Sequence, residues 1–250
     1  MASETREQPM EPFHTVNDLH MTSMRSFHVA ANGKKRILFI GNSHTYCNGS
    51  VPWIIQSFNP AIAAEMVAFG GATCKSHWDS GIAKHVIDTH HENIDTVIFQ
   101  PSGSDPLLRF DEAFEYLSKF VGYINNFRLP LLFIQTHPYG VPWLKRTFGN
   151  DTGMKPLDMH LKNVEFSEKV RSRLGLAIIE VGSMWMDLNK EISLNKLWTL
   201  YDRDDLHTNF RGAVVYAVCI YKKLGYAEIP DLFKNADPHT QLIVRRLFPE

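Results

Sequence analysis

A serine that ends an apolar run, and a histidine three residues behind an aspartate, are the parts of this chain whose types and spacing could do chemistry together. The first lies in Ile37-Leu38-Phe39-Ile40-Gly41-Asn42-Ser43-His44-Thr45 and the second in Asp204-Asp205-Leu206-His207. A serine hydroxyl is a weak nucleophile at neutral pH unless a base takes its proton. Imidazole serves best as that base when a carboxylate fixes its tautomer. Ser43, His207 and Asp204 are therefore the candidate nucleophile, general base and orienting acid. Taken alone, Ser43 equally suits a turn cap, and a lone histidine before a helix is usually a surface residue. Asp202 and Asp205 read as a solvated acidic loop.

Five short apolar runs are candidates to position these groups: Arg36–Ile40, Glu65–Phe69, Thr96–Gln100, Leu131–Gln135 and Ala177–Val181. Their near-continuous apolar character is that of parallel strands covered on both faces. Helical patterns lie between and after them. In Asp111–Asn126 the residues Ala113, Phe114, Leu117, Phe120, Val121 and Ile124 form one stripe, and Asp111 and Glu112 suit its N-terminus. Leu157–Leu174 and Phe210–Leu224 are two more, the latter followed by Gly225 as a left-handed cap. A last helix is expected around His239–Leu247, and an irregular loop over the site from Pro138 to Pro156. Alternating strands and helices define a parallel α/β sheet with helices on both sides. In such sheets ligands bind beyond the carboxyl ends of the strands. Four of these ends carry polar groups: Ser43, Gly70-Gly71, Gln100 to Asp105, and Thr136-His137.

A hydrophobic content of 44% with 21% charged residues fits a globular protein with a substantial core. The formal net charge of -1 favours neither nucleic acid nor an anionic membrane as a partner. No apolar run approaches the about 18 residues that span a bilayer. Residues 1–34 read as a polar leader, disordered or lying on the domain as an extended arm anchored by Phe27 and Val29; they lack the pattern of a secretory signal. Residues 35–250 read as one domain. The 3 cysteines, Cys47, Cys74 and Cys219, are too few and too odd in number for a disulfide framework, and they fit a reducing, cytoplasmic compartment.

The chemical blocks and their order resemble the SGNH (GDSL-type) hydrolase superfamily from about Lys35 to Gly225. Gly41-Asn42-Ser43 matches the nucleophile block with Asn for Asp, and Asp204 to His207 matches the closing Asp-x-x-His block. The glycine block is matched by Phe69-Gly70-Gly71-Ala72-Thr73, with Gly71 ahead of Gly70 as a backbone oxyanion donor beside the N–H of Ser43. The third block departs from the usual Gly-x-Asn-Asp. Here Gln100-Pro101-Ser102-Gly103-Ser104-Asp105 places Ser104 where the family's oxyanion-binding Asn stands, while a Gln-rich version of the block makes Gln100 or Ser102 the residue of interest. A Ser hydroxyl or a Gln amide can each donate in place of Asn. The resemblance implies a three-layer α/β/α sandwich on a five-stranded parallel sheet, flavodoxin-like. It also implies a serine esterase that works through a covalent acyl-enzyme, without cofactor or metal, on a small-molecule or carbohydrate ester, acetyl being the favoured acyl group. Asn42, His44 and His137 are the substrate-facing candidates.

Other readings compete. An O-acyltransferase would use the same three residues, and a degenerate member would only bind. The Gly-x-Ser-x-Gly elbow of α/β-hydrolases is missing around Ser43. The 12 histidines invite a metal reading, yet His44, His77, His85, His90, His91, His137 and His160 form no ligand motif. Trp53, Trp78, Tyr139, Trp143 and Trp185 are pocket candidates, with the core as their ordinary place.

Overall fold

The computed structural model describes residues 21–23, 34–150, 153–195, 200–228, 233 and 236–248. Six strands form one sheet: β1 (Met21–Ser23), β2 (Lys35–Gly41), β3 (Ile62–Ala68), β4 (Thr96–Phe99), β5 (Leu131–Ile134) and β6 (Ala177–Ile179). Their order is β1-β3-β2-β4-β5-β6, with β2 to β6 all parallel and β1 antiparallel on the β3 edge. The five parallel strands thus start in the middle, step to one edge, and return past the start. The reversal falls between β2 and β4, and that switch point is where open α/β sheets make their ligand crevice.

The helices are α1 (Ser43–Tyr46), α2 (Val51–Phe58), α3 (Cys74–Ser80), α4 (Ile82–His90), α5 (Asp105–Leu108), α6 (Phe110–Asn125), α7 (Val141–Phe148), α8 (Pro156–Leu174), α9 (Val181–Asn195), α10 (Phe210–Lys223) and α11 (Pro238–Leu247). Strand alternation divides the core between them. Ile37 and Phe39 of β2 face one layer, with Ile54, Ile55, Trp185, Val214, Ala217 and Ile243 from α2, α9, α10 and α11. Leu38 and Ile40 face the other, with Val86, Ile87, Leu117, Phe120 and Phe166 from α4, α6 and α8. This is the expected three-layer α/β/α sandwich. Helix α10 is buried from Gly212 to Tyr221, so it is a core element. Trp185 and Trp78 belong to these cores.

Several boundaries differ from the sequence reading. Strand β3 begins at Ile62, three residues early, because Ala63 and Ala64 are weak strand formers carried by pairing with Arg36 and Ile37 of β2. The strands end before Gln100, Gln135 and Val181, whose polar or helical roles begin there. The expected loop from Pro138 to Pro156 contains α7. Proline suits its first turn, and Leu144 is buried with Tyr139 and Met159 in a small third apolar cluster that also holds Leu107, Trp143 and Leu206. Strand β1 places part of the expected leader on the sheet edge; Phe27 and Val29 lie outside the described residues. Among the described residues, no helix is long and apolar enough to cross a membrane.

Candidate active site

Strand β2 ends at Gly41, and register with its neighbours sets what surrounds the next residues. Gly41 pairs with Ala68, and Ile40 with Phe99, so Ser43 emerges between the Phe69–Ala72 turn and the Gln100–Ser104 loop. Gly41 must be glycine, because a Cβ there would sit 2.0 Å from Thr45 Oγ1. At the first position of α1, the Ser43 N–H has no intrahelical acceptor. Ser43 is partly exposed.

His207 arrives on a hairpin, residues 201–208, closed by the Tyr201–Thr208 bridge and by Asp202 N–H donating to the His207 carbonyl at 2.8 Å. The His207 Nε2 lies 2.8 Å from Ser43 Oγ, and its Nδ1 lies 2.5 Å from Asp204 Oδ2. The other Asp204 oxygen accepts from the Leu206 and His207 N–H groups at 3.0 and 2.9 Å. Burial raises the Asp204 carboxyl, but the bonds from His207 and Leu206 outweigh it and hold it below its ordinary value. The three side chains therefore stand in one hydrogen-bonded line: hydroxyl, imidazole, carboxylate.

Three contacts brace this hairpin. Gly140 N–H donates to Asp205 O at 2.7 Å, Arg146 of α7 donates to Asp204 O at 3.0 Å, and Asn48 donates to Asp202 at 3.1 Å. His137 supplies a fourth, with Nε2 at 3.1 Å from Leu206 O and Nδ1 at 2.7 Å from the Tyr216 hydroxyl. Fully buried and stacked on Trp185 at 4.3 Å, His137 is pushed down to about 4 by burial. Both its nitrogens are occupied, so the expectation that it faces substrate is corrected: it supports the His207 loop from beneath.

Asn42 is corrected in the same way. It is 2% exposed, and its amide is saturated. Its Nδ2 donates to Ala72 O and Pro101 O at 3.3 and 3.2 Å, while its Oδ1 accepts from His44 N–H and Gln100 Nε2, each at 3.1 Å. One side chain thereby ties the Ser43 turn to both flanking loops. Gln100 is spent likewise: its Oε1 accepts from Thr45 Oγ1 at 2.5 Å, and its Nε2 protons go to Asn42 and to Pro101 O at 2.9 Å. No proton remains for an oxyanion. Ser102 and Ser104 are buried, with their hydroxyls 2.9 Å apart. Gly71 is exposed at φ +68°, a conformation that favours glycine, in a turn closed by Ala72 N–H to Phe69 O at 3.2 Å. His44 is 3% exposed, with its ring 5.3 Å from His207 and 4.8 Å from His137.

Four positioning residues escaped the sequence reading. Asp105 is fully buried, paired with Arg109 at 2.8 Å, and accepts from Cys74 N–H at 3.3 Å, which fastens the third block to α3. His77 Nε2 holds Gly41 O at 2.7 Å. Gly140 and Asn48 hold the hairpin. Only Asp105 carried a sequence signal, as the last residue of its block. Two of the thiols are held protonated: burial with Asp204 and Asp202 nearby pushes Cys47 up to about 11, and burial pushes Cys219 up to about 12. Among the described residues no His, Cys, Asp and Glu group could hold a metal ion.

No family model and no curated protein matches the chain. Solved structures do. A candidate SGNH hydrolase from Slackia heliotrinireducens superposes with a TM-score of 0.62 at 20% identity, covering 77% of this chain and 100% of its own. A family protein of unassigned domain type from Bacteroides uniformis gives 0.59 at 16%, covering 86% and 96%. A catalytic mutant of an acetylxylan esterase from Geobacillus stearothermophilus gives 0.54 at 13%, covering 78% and 96%. The architecture of this chain is the SGNH-hydrolase fold, carried by a divergent sequence.

Proposed function

We propose that the protein is a serine esterase acting on small acyl esters, acetyl foremost, of a small-molecule or carbohydrate alcohol. The observation that carries this reading is the unbroken line Ser43 Oγ, His207 Nε2, His207 Nδ1, Asp204 Oδ2, with contacts of 2.8 and 2.5 Å at the switch point of the sheet. The likeness in fold to acetylxylan esterases supports the acyl group.

In the mechanism, His207 takes the proton of Ser43 as its oxygen attacks the ester carbonyl. Asp204 keeps the Nδ1 proton facing itself and stabilises the imidazolium. The N–H groups of Ser43 and Gly71 donate to the tetrahedral oxyanion. His207 then protonates the departing alcohol, and a water activated by the same ring releases the acyl group. Hydrolysis of p-nitrophenyl acetate tests this reading, with fluorophosphonate labelling followed by peptide mapping. Turnover and a label on Ser43 are expected, both absent in Ser43→Ala. Turnover undiminished in Ser43→Ala would overturn it.

A further inference from the structure

Position 42, one before Ser43, holds Asn where the SGNH nucleophile block has Asp, and its surroundings give the reason. The side chain faces two backbone carbonyls, Ala72 O and Pro101 O, and one backbone N–H, that of His44. Carbonyls only accept and the N–H only donates, so these three groups decide which end of the amide points where. The Nδ2 protons go to the carbonyls, and Oδ1 goes to His44. Gln100 is oriented by the same rule. Its Nε2 meets Pro101 O at 2.9 Å and Asn42 Oδ1 at 3.1 Å, and its Oε1 accepts from Thr45 Oγ1 at 2.5 Å. Every proton of the two amides is thus matched to an acceptor inside the fold. Gly41 leaves room for the pair, since a Cβ there would come within 3.1 Å of Gln100 Oε1. A carboxyl group cannot take the place of Asn42. Ionised, it would press two carbonyl oxygens in a buried site; protonated, it would supply one proton where two are needed.

The reach of this amide bears on the oxyanion. The Ser43 N–H follows directly on Asn42. On the other side, residues 69–72 form a turn closed by Ala72 N–H to Phe69 O, and of its two central residues only Gly71 has positive φ. That is the type II form. The Gly71 N–H belongs to the central peptide of this turn, so its direction follows the orientation of the whole turn. Ala72 closes the turn, and the Ala72 carbonyl is what Asn42 Nδ2 holds at 3.3 Å. The two backbone N–H groups assigned to the oxyanion are therefore each one residue away from the ends of a single buried hydrogen bond.

We propose that Asn42, oriented by Gln100, is a positioning residue that sets the Gly71 turn against Ser43, so that putting the family's aspartate back at 42 would disable the site. This deepens the esterase reading and rests on it. The amide touches no substrate; it fixes the spacing of the groups that do.

The test is p-nitrophenyl acetate kinetics together with the rate of fluorophosphonate labelling at Ser43, both run well below each variant's melting temperature. The phosphonyl oxygen of the label takes the place of the oxyanion, so both rates report on the same donors. Asn42→Asp should lower kcat and the labelling rate together by about 10²-fold, with KM little changed, as a small displacement of reacting groups does. Gln100→Glu should cost about tenfold, and the double variant should be no slower than Asn42→Asp alone, because both act through one amide. Leu117→Ala, in the apolar layer of α4, α6 and α8, should lower the melting temperature and leave both rates unchanged. If Asn42→Asp fails to fold, Thr45→Val, which drops only the hydroxyl that Gln100 accepts from, takes its place with a loss of about fivefold in both rates. Asn42→Asp matching the unaltered protein in both rates, a loss confined to KM, losses that multiply in the double variant, or Leu117→Ala slowing both rates as much as Asn42→Asp would overturn the role of the amide while leaving the esterase intact. Absence of both turnover and Ser43 labelling in the unaltered protein would instead overturn the esterase reading, and the role of the amide with it.

Discussion

His207 and His137 both pack against His44, yet the fold treats the two imidazoles in opposite ways. His207 sits on a hairpin at the mouth of the crevice, its side chain 24% exposed, between a hydroxyl and a carboxylate. His137 is fully buried on Trp185 between a phenol and a backbone carbonyl. A hydroxyl on one nitrogen and a carboxylate on the other set the first ring in line between a proton and a negative charge. Apolar walls with a carbonyl acceptor fix one tautomer and resist charging. In the proposed esterase, one ring moves a proton and the other holds a loop still.

Removing the proton carrier should separate the two most sharply. His207→Ala should cost at least about 10³-fold in kcat on p-nitrophenyl acetate, and the Ser43→Ala/His207→Ala double variant should be no slower, since members of one unit fail together. Asp204→Asn keeps the shape but lets the amide favour the wrong tautomer; steady-state kinetics should show a loss of about 10³–10⁴-fold. His137→Phe should do the reverse of His207→Ala. It leaves the Leu206 carbonyl without its donor and the Tyr216 hydroxyl proton without its acceptor, at a cost of about 2–3 kcal/mol. A melting temperature lower by about 5–10 °C is expected, with kcat reduced far less than in His207→Ala. A His137→Phe variant with unchanged melting temperature and abolished kcat would erase the distinction.

A separate effect is a pH dependence of stability. His77 and His137 are each pushed from the ordinary 6.5 to about 4 by burial. Above pH 6.5 both are neutral in the folded and unfolded chain and contribute nothing to the slope. Between 6.5 and 4 the unfolded chain binds the proton more readily, so stability falls with pH, by up to about 3 kcal/mol per ring. Denaturant melts at pH 7.5 and 4.5 should show this fall. His77→Gln, which keeps a donor toward Gly41 O, should lessen it.

The strands, the long helices and the pairing of Ser43 with Asp204 and His207 were legible in the sequence because each rests on a local signal. Continuous apolar runs mark β2, β4 and β5, a single stripe marks α6, and an aspartate three residues before a histidine lets one turn carry both. The supporting shell was not legible, because its logic is long-range. Nothing local in Asn42 says that its amide will bind loops 30 and 59 residues away, and nothing local in His137 says that it will reach a carbonyl at Leu206. Helix α7 was read as loop because it is short and buries one residue, Leu144. The spacing of Val141, Leu144 and Phe148 was its one faint mark.

Gly140 joins these two worlds. Its N–H holds Asp205, and a Cβ there would come within 2.6 Å of the Asp205 side chain. Helix α7 and the hairpin bearing Asp204 and His207 are therefore geared together like two wheels with no play. For protein engineering the start of α7 is therefore not a free variable. Changes that shift the start of α7 are transmitted to His207, so a redesign of that side must be selected for turnover and fit at once.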